Sequence, residues 1–261
     1  MKALGITVGA VPNLYSTGIR NRRLCVSFSS TSSSGSKTVG VAAPKIEYKP
    51  GVLDDLFLNL FRNKLVQEVG WDSKKPGYDG LIEVANRLMM KGTTNSHTIE
   101  ATVRILRSLF PPFLLELYKI LVAPLGGGKV AAIMVARVTA LTCQWLMGPC
   151  KVNSVDLSDG TSCSSGVYVE RCKYLEESKC VGICLNTCKF PTQTFFKDHM
   201  GVPLLMEPNF TDYSCQFKFG VLPPLPEDDA ILKEPCLEAC PIASQRKMAN
   251  RNIGATACPK T

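Results

Sequence analysis

Seven cysteines in the last third of the chain combine a reactive residue type with a regular spacing. They are Cys172, Cys180, Cys184, Cys188, Cys215, Cys236 and Cys240. Four residues of α-helix advance by about 400°, so thiols four positions apart lie on nearly the same face. The spacing therefore predicts a helical row of three thiols at 180, 184 and 188, and a second row at 236 and 240. Two such rows packed together would offer four soft thiolates to iron–sulfur, zinc or Cu(I).

The spacing alone does not choose among these centres. Bacterial ferredoxins use two-residue gaps and zinc ribbons use Cys-x-x-Cys pairs, and neither pattern occurs here. Thiol–disulfide chemistry and simple burial of structural cysteines stay open as alternatives. The other five cysteines have no partner at ligand spacing, and we interpret them as incidental: Cys25, Cys143, Cys150, Cys163 and Cys258.

Histidine-based chemistry is largely excluded by composition. His97 and His199 are the only histidines, so no three-histidine or four-histidine metal site can form. No Ser-His-Asp or His-Glu-x-x-His arrangement is present. His199 is interpreted either as a further ligand or as a surface residue. Residues 206–215 are interpreted either as a loop that positions Cys215 or as a loop that lines the site.

Helical periodicity dominates the part of the chain that must position the cysteines. Apolar spacings of three and four predict a mainly α fold with one small β-hairpin. The predicted helices start near residues 53, 79, 95, 113 and 129, and the predicted hairpin strands are 151–157 and 166–171. We expect a helical region, 47–148, packed on a Cys-rich metal-binding region, 149–261, as one domain.

The most apolar predicted helix, 129–147, approaches the length of a membrane span. Arg137 lies at its centre, where a charge costs about 2.5–3.5 kcal/mol on insertion scales. We therefore predict a core helix or a pocket wall.

The first 46 residues are predicted to be a chloroplast transit peptide. They contain no Asp or Glu, six Lys and Arg residues, and a run of hydroxyl side chains at 29–34. Such a composition is typical of organelle import. The six cations account for most of the formal net charge of +8, so the remainder has no electrostatic footprint for nucleic acid. A reducing plastid interior favours metal-bound or redox cysteines over a disulfide framework.

Four segments resemble a known family. They are VERCKYLEESKCVGICLNTCKFP at 169–191, GVPLLMEPNF at 201–210, CQFKFG at 215–220 and PCLEAC at 235–240. Together they resemble the plastid β-carotene isomerases of strigolactone biosynthesis, the dwarf-twenty-seven type. The resemblance continues in weaker form to about residue 48. The phrase EVGWD at 68–72 is similar to an isomerase-like paralogous branch. This likeness leaves the exact substrate and direction open, with other cis isomers as the alternative.

The resemblance implies an iron-containing enzyme that interconverts all-trans and 9-cis β-carotene. The iron, mononuclear or in an iron–sulfur cluster, would be held by a subset of the seven cysteines. It implies a carotenoid substrate, and we expect peripheral contact with a plastid membrane because carotenoids reside there. Whether an outside electron donor is needed stays open. Reversible one-electron transfer would lower the order of one polyene double bond, which fixed-valence zinc cannot do.

Several apolar side chains are candidates for lining a substrate tunnel, with core packing as the alternative. They are Met89, Met90, Phe110, Phe113, Met134 and Trp145. Two non-enzymatic functions also stay open. One is an iron–sulfur electron carrier, and the other is a structural zinc protein that binds carotenoid.

Overall fold

Residues 51–92 and 94–240 are described by the computed structural model, without the side chain of Val52. The predicted transit segment, Cys25 and Cys258 lie outside these residues.

Three helices build the first layer. They are α1 (Val52–Val69), α2 (Gly77–Lys91) and α3 (Asn95–Ser108). Helix α1 ends at Gly70, whose φ of 74° favours glycine. The N-cap of α3 is Thr94, whose hydroxyl accepts the His97 N–H. A shared core joins the layer through Phe61, Leu81 and Ile105, among others.

One arginine fixes the connection between α1 and α2. The Arg62 guanidinium donates to Asp72 Oδ1 at 2.8 and 2.9 Å, and to the carbonyl oxygens of Ser73 and Lys75. A planar guanidinium can satisfy several acceptors in one rigid fork. The loop is thereby held against α1, and it delivers Tyr78 at the start of α2.

The chain then forms α4 (Leu114–Leu121) and a 3₁₀ turn (Leu125–Gly128). The helix predicted at 129–147 is divided into α5 (Lys129–Thr142) and α6 (Gln144–Met147). The prediction of a continuous helix to Met147 was wrong because Cys143, with φ −109° and ψ 7°, leaves helical geometry.

By length and composition alone, residues 125–142 are apolar enough to cross a membrane. Helix α5 itself spans only about 21 Å, short of the roughly 30 Å of a bilayer core. One face of α5, including Ala132, Val135 and Ala136, packs into the core against the sheet. The prediction that this helix belongs to the core is confirmed.

A four-stranded antiparallel sheet forms the second layer, where the sequence predicted only a hairpin. Its strands are β1 (Cys150–Asp156), β2 (Ser162–Val169), β3 (Leu204–Pro208) and β4 (Cys215–Phe219), in the order β1-β2-β4-β3. The mainly α class with a predicted hairpin is confirmed in part, since β1 and β2 form that hairpin. Strands β3 and β4 were missed, although alternate residues such as Leu204, Met206, Phe217 and Phe219 are buried.

A buried helical segment lies between the sheet and the helical layer. After α7 (Lys173–Ser178), it runs through α8 (Val181–Cys184), a π-helical turn (Leu185–Lys189), α9 (Phe190–Thr194) and a second π-helical turn (Phe195–His199). Two 3₁₀ turns, Pro226–Asp228 and Ala230–Lys233, follow β4. Cys236 and Cys240 lie outside any helix, so the predicted second helical thiol row was wrong.

Candidate functional site

Two of the three thiols predicted to share one helical face do so. Cys180 is instead the extended N-cap residue of α8, with φ −140° and ψ 118°. Cys184 ends α8, and Cys188 lies in the π-helical turn that follows. A π-helical turn advances each residue by less than the α-helical 100°, so Cys188 stays on nearly the same side as Cys184.

The π-helical turn has a local cause in Pro191. Proline lacks the N–H that an α-helix needs, and its ring crowds the carbonyl four residues earlier, here Thr187. The N–H of Phe190 bonds to the Leu185 carbonyl, five residues back, which widens the turn ahead of the proline. The hydroxyl of Thr187 donates to Ile183 O at 2.7 Å and bonds the Tyr174 hydroxyl at 2.8 Å.

Four thiols from three elements meet on the inner side of this helix. Cys184 and Cys188 come from the helix, Cys215 begins β4, and Cys172 precedes α7. The N–H of Cys172 donates to Tyr213 O at 2.7 Å, which ties it to the loop before β4. The loop 209–214 therefore positions Cys172 as well as Cys215. We call these four residues the thiol cluster.

The thiol cluster favours neutral thiols when nothing is bound. Burial raises the pKa of Cys172, Cys184, Cys188 and Cys215, since a thiolate loses its hydration. Negative charge on neighbouring members raises the pKa of Cys184 and Cys215 further, and Lys189 opposes this at both. A thiolate form of the cluster would thus need an added positive charge.

The remaining predicted ligands pack elsewhere. Cys180 lies in a cluster with Met89, Tyr174 and Ile183, against which Cys172 and Cys188 also pack. Cys236 packs against a different cluster of Val181, Leu185 and Phe190. Cys240 is buried after the last turn.

The donor chemistry of the thiol cluster suits a soft metal such as iron. Among residues 51–92 and 94–240, however, no three His, Cys, Asp or Glu side chains are arranged as a group that could hold a metal ion. The residue types suit a metal ion, but the side chains are not arranged around a common metal position in this structure.

Two cysteines that we interpreted as incidental extend the thiol cluster. Cys143 and Cys150 pack against the same core as Cys172, Cys188 and Cys215. A charge on Cys143 would raise the pKa of both Cys188 and Cys150. Ligand spacing gave no signal for either residue. By contrast, Cys163 on β2 is disulfide-bonded.

A cavity of about 960 Å³ opens beside Cys150. Cys150, Tyr78 and Trp145 are among its apolar lining, together with Leu58 and Pro149. Its charged lining residues are Asp54, Asp55, Lys151, Glu170, Arg171, Lys173, Glu176 and Glu177. The volume lies at the upper end of the range for ligand sites.

Tyr78 connects the cavity to the thiol cluster. Its hydroxyl donates to Leu146 O at 2.5 Å, and Lys173 Nζ lies 4.1 Å from the ring centroid. Burial raises the pKa of Tyr78, and charge on Cys172 and Cys188 would raise it further. Tyr78 therefore remains a neutral hydrogen-bond donor between the two sites. Tyr78 could not be predicted from the sequence as a site residue, because a single tyrosine at a helix start carries no motif.

The predicted tunnel residues divide between core, surface and cavity. Met89 is buried in the core, whereas Met90, Phe110, Phe113 and Met134 are exposed. Only Trp145 among them lines the cavity, with its ring edge-to-face against Phe61 at 5.9 Å. The ring centroids of His199 and Phe195 lie 6.3 Å apart. Burial, and then the positive charge of Arg107, lower the pKa of His199.

Sequence comparison places these residues in a family. A model of the family described as "Beta-carotene isomerase D27-like, C-terminal" matches residues 145–228. "Beta-carotene isomerase D27, chloroplastic" of Medicago truncatula is 35% identical over 194 residues, covering 74% of this chain and 75% of the relative. The chain belongs to the D27-type β-carotene isomerase family.

The D27-type match includes the whole thiol cluster, Cys150 and Trp145, but stops before Cys236 and Cys240. The protein of the same name from Arabidopsis thaliana is 38% identical over 168 residues. That alignment covers 64% of this chain and 62% of the relative. No solved structure matches the chain.

Alkylation of Cys150 provides a direct test of the cavity. Burial raises its pKa to about 11, so the thiolate reactive at pH 8 is about 100-fold scarcer than in a peptide of pKa 9. We expect slow iodoacetamide labelling at pH 8 that accelerates toward pH 11. Peptide mass spectrometry measures the rate, and Cys150→Ser identifies the signal. A labelling rate at pH 8 equal to that of the unfolded chain would contradict this environment.

Proposed function

We propose that this protein is a chloroplast carotenoid cis–trans isomerase that uses β-carotene or a related isomer as substrate. The observation that carries the proposal is the large cavity beside a buried thiol cluster in a D27-type chain. Both relatives are named as chloroplastic β-carotene isomerases, and the acid-free first 46 residues fit import into that organelle. We further propose that it interconverts all-trans and 9-cis β-carotene in carotenoid and strigolactone metabolism.

The cavity supplies binding through burial of apolar surface. A polyene offers almost no hydrogen-bonding groups, so its affinity must come from about 25 cal/mol per Å² of buried area. Trp145 and Leu58 provide broad apolar contact, and Tyr78 keeps its only polar atom turned to Leu146 O. Ion pairs between Lys151 and Glu170 and between Arg171 and Glu176 neutralise part of the charged lining.

We propose that Cys172, Cys184, Cys188 and Cys215 hold iron, which requires these thiols to draw closer together than in this structure, where no three described His, Cys, Asp or Glu side chains form a group that could hold a metal ion. Iron would supply reversible one-electron exchange, which lowers the double-bond order without net oxidation. The apolar surroundings of the cluster exclude water from this chemistry. Tyr174 and Tyr78 remain neutral beside it, because burial raises the pKa of both phenols.

Replacing Trp145 by alanine tests the cavity as the substrate site. We expect about a tenfold rise in KM for all-trans or 9-cis β-carotene in detergent micelles, because a large aromatic contact is removed. Chromatographic separation of the isomers, with anaerobic iron-replete protein, measures turnover. The matched control is Trp71→Ala, since Trp71 packs outside the cavity under Arg87.

The two tryptophans also separate binding from turnover. The Trp71→Ala protein retains Trp145 as its only tryptophan, so quenching of its fluorescence by carotenoid reports on the cavity. If carotenoid quenches the fluorescence but the isomer ratio does not change, the protein binds carotenoid and is not an isomerase. Unchanged KM and turnover in Trp145→Ala would place the substrate elsewhere.

A further inference from the structure

Helix α4 presents apolar side chains to solvent instead of burying them. Phe113 is 82% exposed, Leu117 55%, Ile120 70% and Leu121 58%. Leu115 is the only buried residue of this helix. A surface helix of a globular protein normally buries its apolar side chains and exposes polar ones. A contiguous exposed apolar patch therefore marks an interaction surface.

The exposed residues follow one another along the helix. Phe113, Leu117 and Ile120 repeat at four and three, while Leu114, Leu117 and Leu121 repeat at three and four. Leu125, 50% exposed, continues the surface beyond the helix. Phe113 itself has φ 67°, an uncommon conformation for a bulky residue. The chain therefore holds an aromatic ring in solvent at the cost of backbone strain.

A pocket with two arginines and one glutamate adjoins this apolar face. It has a volume of about 290 Å³, and its charged lining residues are Arg104, Arg107 and Glu116. Arg104 is paired with Glu68, whereas Arg107 forms no ion pair within the described part of the chain. Lys119, on α4, donates to the backbone oxygen of Asp198 and not to a carboxylate. The surface thus combines an apolar face with guanidinium and ammonium groups.

We propose that α4 docks this protein on an anionic lipid bilayer. The apolar face would lie in the interface, buried about 5–10 Å into the boundary between headgroups and acyl chains. Arg107 would bind a lipid phosphate, for which a guanidinium provides two parallel donors. A bilayer offers an apolar phase and anions within the length of one short helix, which matches this surface. Docking needs no enzymatic activity; only its use for drawing substrate from the membrane rests on the proposed function.

Co-sedimentation of the full chain with vesicles tests the docking. One set contains equal parts of phosphatidylglycerol and phosphatidylcholine, and the other only phosphatidylcholine. We expect Leu117→Gln with Ile120→Gln to lower the partition coefficient at least about tenfold on both sets. Arg107→Gln should lower it about fivefold on the anionic set, as expected for one surface cation, and by less on phosphatidylcholine alone. Leu222→Gln, at an equally exposed leucine, is the matched control and should change nothing.

The variants share the basic first 46 residues, so differences among them report on α4 itself. Equal partitioning of the double variant and the parent would overturn the proposal. If the parent forms a dimer in solution and does not bind vesicles, and if the double variant alone is monomeric, then a second copy of the chain covers this face. That result would also overturn the proposal. Isomerisation in detergent micelles should be unchanged in all these variants. If the parent protein binds vesicles but is inactive in micelles, the proposed function is wrong and the docking still holds.

Discussion

Replacing Cys184 by serine is expected to abolish iron binding and isomerisation together. Cys184 is buried, and it interacts with the other three members of the thiol cluster. Serine keeps the size but replaces a soft sulfur donor by a hard, neutral oxygen, so the proposed site loses a ligand. Loss of a partner around a metal site costs about 10–100-fold, and loss of a ligand at least as much. Iron content per folded protein and the isomer ratio measure the two effects.

Cys236→Ser is the matched control. Cys236 packs against Val181, Leu185 and Phe190 in a different cluster, outside the matched family region. We expect iron content and turnover to stay within about twofold of the parent. An iron content in Cys184→Ser equal to that of the parent would show that the proposed ligand set is wrong. Loss of iron from Cys236→Ser alone would show the same.

Replacing Asp229 by asparagine is expected to destabilise the fold by about 3–5 kcal/mol. Asp229 Oδ2 accepts from Lys189 Nζ, and the two side chains are only 10% and 3% exposed. Asparagine keeps the shape and the bond that Oδ1 accepts from the Ile231 N–H. It nevertheless leaves the ammonium group of Lys189 buried without a counter-charge. Urea unfolding followed by circular dichroism measures the change.

The double variant Lys189→Met with Asp229→Asn separates the ion pair from mere packing. Removing both charges of a buried pair is often nearly neutral, whereas removing one is not. We expect the double variant to recover most of the loss, to within about 1 kcal/mol of the parent. A single Asp229→Asn variant as stable as the parent would contradict burial of the pair.

The helical layer could be predicted because each helix carries its own signal. Apolar periodicity and Gly70 define α1, and Gly92 ends α2. The break at Cys143 could not be predicted, since no glycine or proline marks it and the packing of α6 on α1 decides it. Strands β3 and β4 carry only five residues each, and alternation over so short a length is easily read as loop.

The site was half predictable for a similar reason. Spacing within one element identified Cys184 and Cys188 as neighbours. The approach of Cys172, Cys215, Cys143 and Cys150 depends on how four separate elements pack, which no local pattern records. Spacing misled at 236 and 240, where no helix forms, because a gap of four residues has meaning only on a helix.

The origin of the thiol cluster in separate elements has a kinetic consequence. Closing the chain from Cys172 to Cys215 carries an entropy cost that is repaid only after the buried helix has docked on β4. Until then each thiol has an ordinary pKa and reacts freely; afterwards burial raises that pKa and slows its reactions. The rate at which Cys184 reacts during refolding therefore reports when the helix docks on the sheet. Oxidation of the thiols before docking competes directly with folding.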